Sequence, residues 1–368
     1  MRNTIIVMVV LTLGFATGYS AFSTNITLNA KGNIKQKSFS PSKLKDNVVT
    51  SGDGLYLDTT ENNRYIYKGA TPNNYITFNG NELWRIYSIE SDESIKIVKD
   101  ESIGNFTFDP GYTTSISNIK NANTVVGTRY SNTSTDFCYS ADESTYYGCG
   151  VWGNRNTTLD SSGINVTKQS PIEGSTSVTY DLPESESYIN VYLNHQFNSS
   201  IYKGLNNDKS GYQDMSFLGY YAINNSYTKY IKTSLWNIGT PSINWDGKPT
   251  LVNMVDNEKM YKWSGKVGLI TASEYIRANT NSSCTALNTL WSNTSSSCKD
   301  TNYLYKTTSF WTLSPVYRDG VFPVNPDGYG AGGYTRYLRG VYPSLYLNSD
   351  IKLKGFGTQN NPYYIVDE

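Results

Sequence analysis

The chain has one histidine, His195, in 368 residues, and that scarcity excludes zinc hydrolysis on a His-Glu-x-x-His helix, which needs two. His195 falls on the polar side of an expected helix and reads as a surface residue. Charge is sparse as well: 17% of residues are charged, and 31 Lys and Arg balance 31 Asp and Glu. No basic run stands out, so the electrostatic footprint of nucleic-acid binding is missing and nucleic acid is not an expected partner. The four cysteines include no Cys-x-x-Cys pair, which argues against a zinc site. Past the N-terminus there is no long hydrophobic run, and the end, Tyr364-Ile-Val-Asp-Glu368, carries neither an apolar tail nor a sorting motif.

What the chain does have is tyrosine, 32 against 12 phenylalanines, amid much Asn, Ser, Thr and Gly. That mixture favours strands, turns and wettable aromatic surfaces over long charged helices. Met1-Arg-Asn-Thr4, the apolar run Ile5 to Phe15 and the small residues Ala16, Thr17, Gly18, Ser20 and Ala21 have the three-part layout of a secretory signal. The apolar run is short for a hydrocarbon layer of about 30 Å, so residues 1–21 are expected to be a removed signal rather than a permanent anchor. A membrane would be a partner only through this segment, if it stays uncleaved.

In an exported chain, closely spaced cysteines in even number read as disulfides. Cys138 with Cys149 and Cys284 with Cys298 are the expected pairs, because each closes only a short loop.

Residues 22–60 are polar and lysine-bearing and read as an extended lead-in. Residues 61–368 read as one β-rich ectodomain. Arg64 to Lys68, Tyr75 to Phe78, Leu83 to Ile89 and Ile95 to Lys99 are rich in β-branched and aromatic residues, and predict an antiparallel meander. Asn79-Gly80 suits a type I′ hairpin turn, in which both central residues have positive φ. Glu90 to Ser94 supplies a five-residue loop. Periodicity then fades, and about 106–180 reads as an insertion around the first cysteine pair.

Pro183-Glu-Ser-Glu-Ser187 predicts a helix start, with Ile189, Tyr192, Leu193, Phe197 and Ile201 on its apolar face. Val267 to Ile270 reads as a buried strand running into a capping box, Thr271-Ala-Ser-Glu274. Short apolar runs return at 310–313, 321–324, 341–347, 351–353 and 363–366. The fold class expected is α+β, strand-rich, with a few short helices.

Three C-terminal segments occur in a telling order: Phe310-Trp-Thr-Leu-Ser-Pro315, Gly340-Val-Tyr-Pro-Ser-Leu-Tyr-Leu347 and Gly355-Phe-Gly-Thr-Gln-Asn-Asn-Pro-Tyr-Tyr-Ile-Val366. They resemble a bacterial exported family of unknown function marked by Trp-Leu-Arg-Ser-Pro and Gly-Val-Arg-Pro-Ala-Leu signatures. Leu83-Trp-Arg-Ile86, Tyr188 to Phe197 and Val267 to Tyr275 fit the same pattern, so the resemblance covers roughly Tyr65 to Val366. Such proteins look C-type-lectin-like in their C-terminal part, which implies a ligand surface there. Two signature arginines are replaced, by Leu313 and Tyr342. Tyr19-Ser-Ala-Phe-Ser-Thr24 is similar to the start of many exported Gram-positive surface proteins.

The C-terminal Tyr/Arg cluster supplies the candidate ligand-binding residues Tyr317, Tyr329, Tyr334, Arg336, Tyr337 and Arg339, with Trp311 beside them leaning toward the core. Tyr329-Gly-Ala-Gly-Gly-Tyr334 reads as a hairpin tip, since it lacks the Lys-Ser/Thr of a phosphate loop. Asn325-Pro-Asp-Gly328 reads as a turn, without the alternating carboxylates of a calcium loop. No catalytic residue, cofactor or metal is called for. The function expected is a non-catalytic surface binding protein for a glycan or a protein. A structural adhesin or matrix subunit is the alternative, and a cell-wall glycosidase using carboxylates such as Asp58, Glu82, Asp181, Glu184 or Asp246 ranks behind it.

Overall fold

A computed structural model describes residues 36–109, 150, 152–153, 155–159, 165–169, 187–194, 217–218, 223–242, 249–284, 296–316, 320–327 and 333–367. The expected signal, Cys138, Cys149, His195, Asp181, Glu184, Asp246, Tyr317 and Tyr329 lie outside them. The described chain is α+β with strands in the majority.

The largest sheet has ten strands. β1 (Gly54–Leu57), from the stretch read as a lead-in, pairs with β2 (Tyr65–Lys68); β2, β3 (Tyr75–Phe78), β4 (Glu82–Ile89) and β5 (Ile95–Lys99) are the stretch read as a meander. The pairing departs from simple up-and-down order. β5 covers one edge of β4, while β3 (Tyr75↔Arg85 to Phe78↔Glu82) and β2 (Tyr65↔Ile89, Ile66↔Ser88) share the other. An eight-residue strand is long enough to take both. Asn79 and Gly80 do have positive φ, 57° and 85°, but the Phe78↔Glu82 register leaves three loop residues rather than two. Ile89↔Ile95 leaves the expected five in the next loop, where Asp92 accepts from the Ser94 N–H at 3.0 Å.

A second sheet and a third divide most of the next strands. β6 (Asn105–Phe106) joins the second, and β7 (Arg155–Leu159) and β8 (Asn165–Gln169) the third. β9 (Ile231–Lys232) returns to the large sheet, whereas β10 (Ser234–Asn237) and β11 (Lys262–Gly265) complete the third. β12 (Val267–Gly268) goes back to the large sheet. The second sheet is then finished by β13 (Phe310–Pro315), β14 (Gly320–Val324), β15 (Gly333–Tyr334) and β16 (Arg339–Gly340), in the order β15-β14-β13-β16-β6. β17 (Ser344–Leu347) pairs with β5, β9 and β12. β18 (Lys352–Lys354) and β19 (Tyr363–Val366) form a hairpin, with β19 parallel to β3.

Part of the stretch read as an extended lead-in is folded. Residues Pro41–Asn47 form a 3₁₀ helix and residues 54–57 form β1, because Pro41, Leu44 and Leu55 supply apolar anchors in a polar stretch and are buried. Helix α1 (Tyr188–Asn194) begins after the acidic residues expected to open it, and Tyr188 to Leu193 are buried all round rather than on one face. The Trp152 carbonyl holds it in place, accepting from the Ser187 hydroxyl at 3.1 Å and the Asn190 amide at 3.0 Å.

α2 (Asn225–Thr228), α3 (Leu251–Glu258), α4 (Ala272–Arg277) and α5 (Ser296–Lys299) are all short. At α4 the capping box is complete: Thr271 accepts from the Glu274 N–H, and Glu274 accepts from the Thr271 N–H. Cys284 and Cys298 are disulfide-bonded. Among the described residues no helix is long and apolar enough to cross a membrane. Trp84, Trp152, Trp236 and Trp311 anchor the core, and Phe108 meets Trp152 and Trp311 edge-on at 5.9 and 5.8 Å.

Candidate functional site

The turn between β15 and β16 gathers the described members of the Tyr/Arg cluster. β14 and β13 fix its two ends, through Gly320↔Tyr334 on one side and Phe310↔Gly340 on the other. Between them Thr335 points inward and is fully buried. Its carbonyl accepts from the N–H groups of Phe108 at 2.8 Å and Asp109 at 3.2 Å. The flanking side chains are turned outward in consequence. Tyr334, Tyr337 and Leu338 are each about half exposed, at 47%, 48% and 49%. The Arg336 guanidinium lies 5.0 Å from the Tyr334 ring centre and 5.7 Å from that of Tyr337, and the two rings meet edge-on at 5.9 Å. Ring-to-cation contacts of this kind hold an arginine in place against the two rings.

Arg339 is placed differently. Its guanidinium lies 5.1 Å from the ring centre of buried Trp311 and donates to Asn325 Oδ1 at 2.9 Å. Burial holds its pKa below the usual arginine value, with Tyr337 acting the other way. Arg339 therefore braces β16 against β13. Trp311 is part of the core, and its indole N–H donates to the Phe106 carbonyl at 2.8 Å. Asn325 Oδ1 also lies 3.1 Å from the Ser309 hydroxyl, so the residue ties strands together at a turn. Leu313 and Tyr342, at the two signature arginine positions, are buried, and the Tyr342 ring meets Phe310 edge-on at 5.2 Å.

The two described carboxylates among the glycosidase candidates are already engaged. Asp58 accepts from Arg277 at 2.7 Å and from the Thr60 hydroxyl at 2.7 Å, and Glu82 accepts from Lys99 at 2.7 Å. Asp58 belongs to a buried network that sequence reasoning missed, with Arg64, Arg277, Glu61, Lys96 and Glu274. Burial tends to raise the Glu61 carboxyl, but Arg64 and Arg277 outweigh it and hold it below the usual range. Glu258 is the opposite case: burial raises its carboxyl against hydrogen bonds from Ser273, Ser314 and Thr271. The capping-box pattern marked Glu274, but nothing local in sequence signalled its ion-pair partners.

No family model, curated protein or solved structure matches the chain.

Proposed function

We propose that this chain is an exported surface protein that binds a glycan or protein ligand through the Tyr334–Leu338 turn and does not itself catalyse a reaction. The observation that carries the reading is the Tyr334–Arg336–Tyr337 group, an arginine set against two half-exposed rings on a turn anchored by buried Thr335. Tyrosine and arginine dominate recognition surfaces because they combine contact area with directed hydrogen bonds at small entropic cost. The Cys284–Cys298 bridge supports an oxidising, extracellular setting. The family resemblance supports a C-type-lectin-like reading of the C-terminal part.

The test is binding of the purified, oxidised chain to a glycan and cell-wall-fragment array, with calcium and with chelator. Saturable binding that Tyr337→Ala and Arg336→Ala each weaken by roughly tenfold or more is expected, as for anchors at the centre of an interface. Binding indifferent to both substitutions would overturn the assignment of this turn. Concentration-dependent self-association that Tyr337→Ala abolishes would instead identify an assembly surface.

A further inference from the structure

A cleft of about 580 Å³ opens between the Pro41–Asn47 helix, the start of β1 and the turn from β18 to β19. That volume lies within the roughly 300–1,000 Å³ of small-molecule sites. None of its residues belongs to the Tyr334–Leu338 turn.

Its lining is divided between rings and short polar groups. Phe39 and Tyr363 meet edge-on at 5.9 Å to form one wall. Phe356 stands at the rim and is 62% exposed, the largest exposure among the large hydrophobic residues described. The turn that carries it is clamped. Gly355 and Gly357 have φ of 103° and 73°, and a Cβ at either would lie 2.1 Å from the Pro362 carbonyl or 2.4 Å from the Tyr363 ring. The Tyr75 N–H donates to the Gly357 carbonyl at 2.8 Å. The Phe356 N–H donates to the Asn361 carbonyl at 3.1 Å, and an apolar ring held out in water on a hydrogen-bonded turn is a preformed contact surface, since less freedom is left to lose on binding.

The polar side of the cleft is Asn47, Asn73 and Asp53. Asp53 accepts from the Thr71 N–H at 2.7 Å, whereas neither asparagine side chain hydrogen-bonds to another described residue. A primary amide both donates and accepts, which matches a hydroxyl that does the same. Charge narrows the ligand class further. The cleft's lysine, Lys43, lies 3.3 Å from Asp46, and with Asp46 and Asp53 both present the lining disfavours phosphate and other anions. A lipid chain would offer the Asn47 and Asn73 amides no hydrogen-bond partner.

We propose that this cleft is a second ligand site, for a short neutral saccharide, in which Phe356 stacks on the C–H face of one sugar ring and Asn47 and Asn73 hydrogen-bond its hydroxyls. The proposal stands independently of the Tyr334–Leu338 reading. It is tested by calorimetric titration of the full chain with chitotriose, cellotriose and maltotriose, and with trialanine as a peptide probe.

Saturable binding of at least one trisaccharide is expected. Phe356→Ala and Asn73→Ala should each weaken it by roughly tenfold or more without lowering the melting temperature, as exposed residues at a binding hot spot do. Val252→Ala, at an exposed position on α3 outside both sites, should leave it unchanged. Failure of all three sugars to bind, binding that survives Phe356→Ala, or uptake of the peptide alone would each overturn the proposal.

Discussion

Lys96 on β5 and Glu274 in the capping box of α4 are 178 residues apart in sequence, yet the lysine Nζ lies 2.7 Å from both carboxylate oxygens. Both side chains are almost wholly buried, Arg64 adds a third contact at 3.0 Å, and the Lys96 ammonium sits 4.7 Å from the Trp236 ring centre. Burial lowers the lysine's pKa and Glu274 pulls the other way. For Glu274, burial acts to raise the carboxyl, but Lys96, Arg64 and Arg277 outweigh it and hold it below the usual range. The pair fixes where α4 docks on the large sheet.

Removing one partner of a buried pair strands the other, so Lys96→Met should cost about 3–5 kcal/mol in urea unfolding. Glu274→Gln keeps the oxygen that completes the capping box and removes the charge. Combined with Lys96→Met it should be clearly less destabilising than the sum of the two single changes. Additive effects would mean that the two groups are not energetically coupled.

Glu258 gives a pH signature. It is 1% exposed and accepts from the Thr271 hydroxyl at 2.8 Å and the Ser314 hydroxyl at 2.7 Å, with Ser273 also bound. Its folded-state pKa lies above the ordinary value of 4.5, chiefly through burial, so the folded chain binds this proton more tightly than the unfolded chain. The contribution to stability is fully present below that ordinary value and is lost as pH rises through the raised one. Relative to the parent, Glu258→Gln should therefore gain in melting temperature as pH climbs above 4.5. A difference that stays flat across that window would show that the carboxyl titrates normally.

Short-range signals in the sequence translated faithfully. The runs of β2 to β5, the loop 90–94 and the Thr271–Glu274 box depend on neighbours within a few residues, and each is where the pattern places it. What sequence could not convey was set by distant partners. β4 holds β2 and β3 on one edge because of its length and register, and α1 is buried on every side because Phe108, Trp152 and β12 surround it. The candidate turn was legible only as a composition. Arg336 and Arg339 look alike in sequence, yet Arg336 lies over two exposed rings while Arg339 is held inward on Trp311.

The Cys284–Cys298 bridge joins residues 14 apart. Closing a loop of that size stabilises by about 3 kcal/mol in the chain-entropy account. Replacing both cysteines with serine should lower the urea midpoint accordingly, and reductant should lower the midpoint of the parent chain by more than that of the variant, which keeps the expected Cys138–Cys149 pair. Equal shifts in the two chains would show that the Cys284–Cys298 bridge does not contribute to stability.

Gly268 on β12 tests how tightly the large sheet is packed around Trp236. A Cβ there would lie 2.5 Å from the indole, and Trp236 has little freedom to retreat: it is 1% exposed, its N–H donates to the Gly265 carbonyl at 3.0 Å, and its ring meets Tyr346 edge-on at 4.9 Å. Gly268→Ala should therefore destabilise by about 1–3 kcal/mol, the range for overpacking a filled core. Gly80 is the informative contrast, because a Cβ there meets nothing within 4 Å and only its φ of 85° opposes a side chain. The two glycines are needed for different reasons, one for space and one for backbone conformation, and a second-site change separates them. Trp236→Phe removes the crowding ring atoms, so it should recover part of the loss caused by Gly268→Ala and none of that caused by Gly80→Ala. Equal recovery in both backgrounds, read from urea midpoints, would show that contact with the indole is not what makes Gly268 necessary.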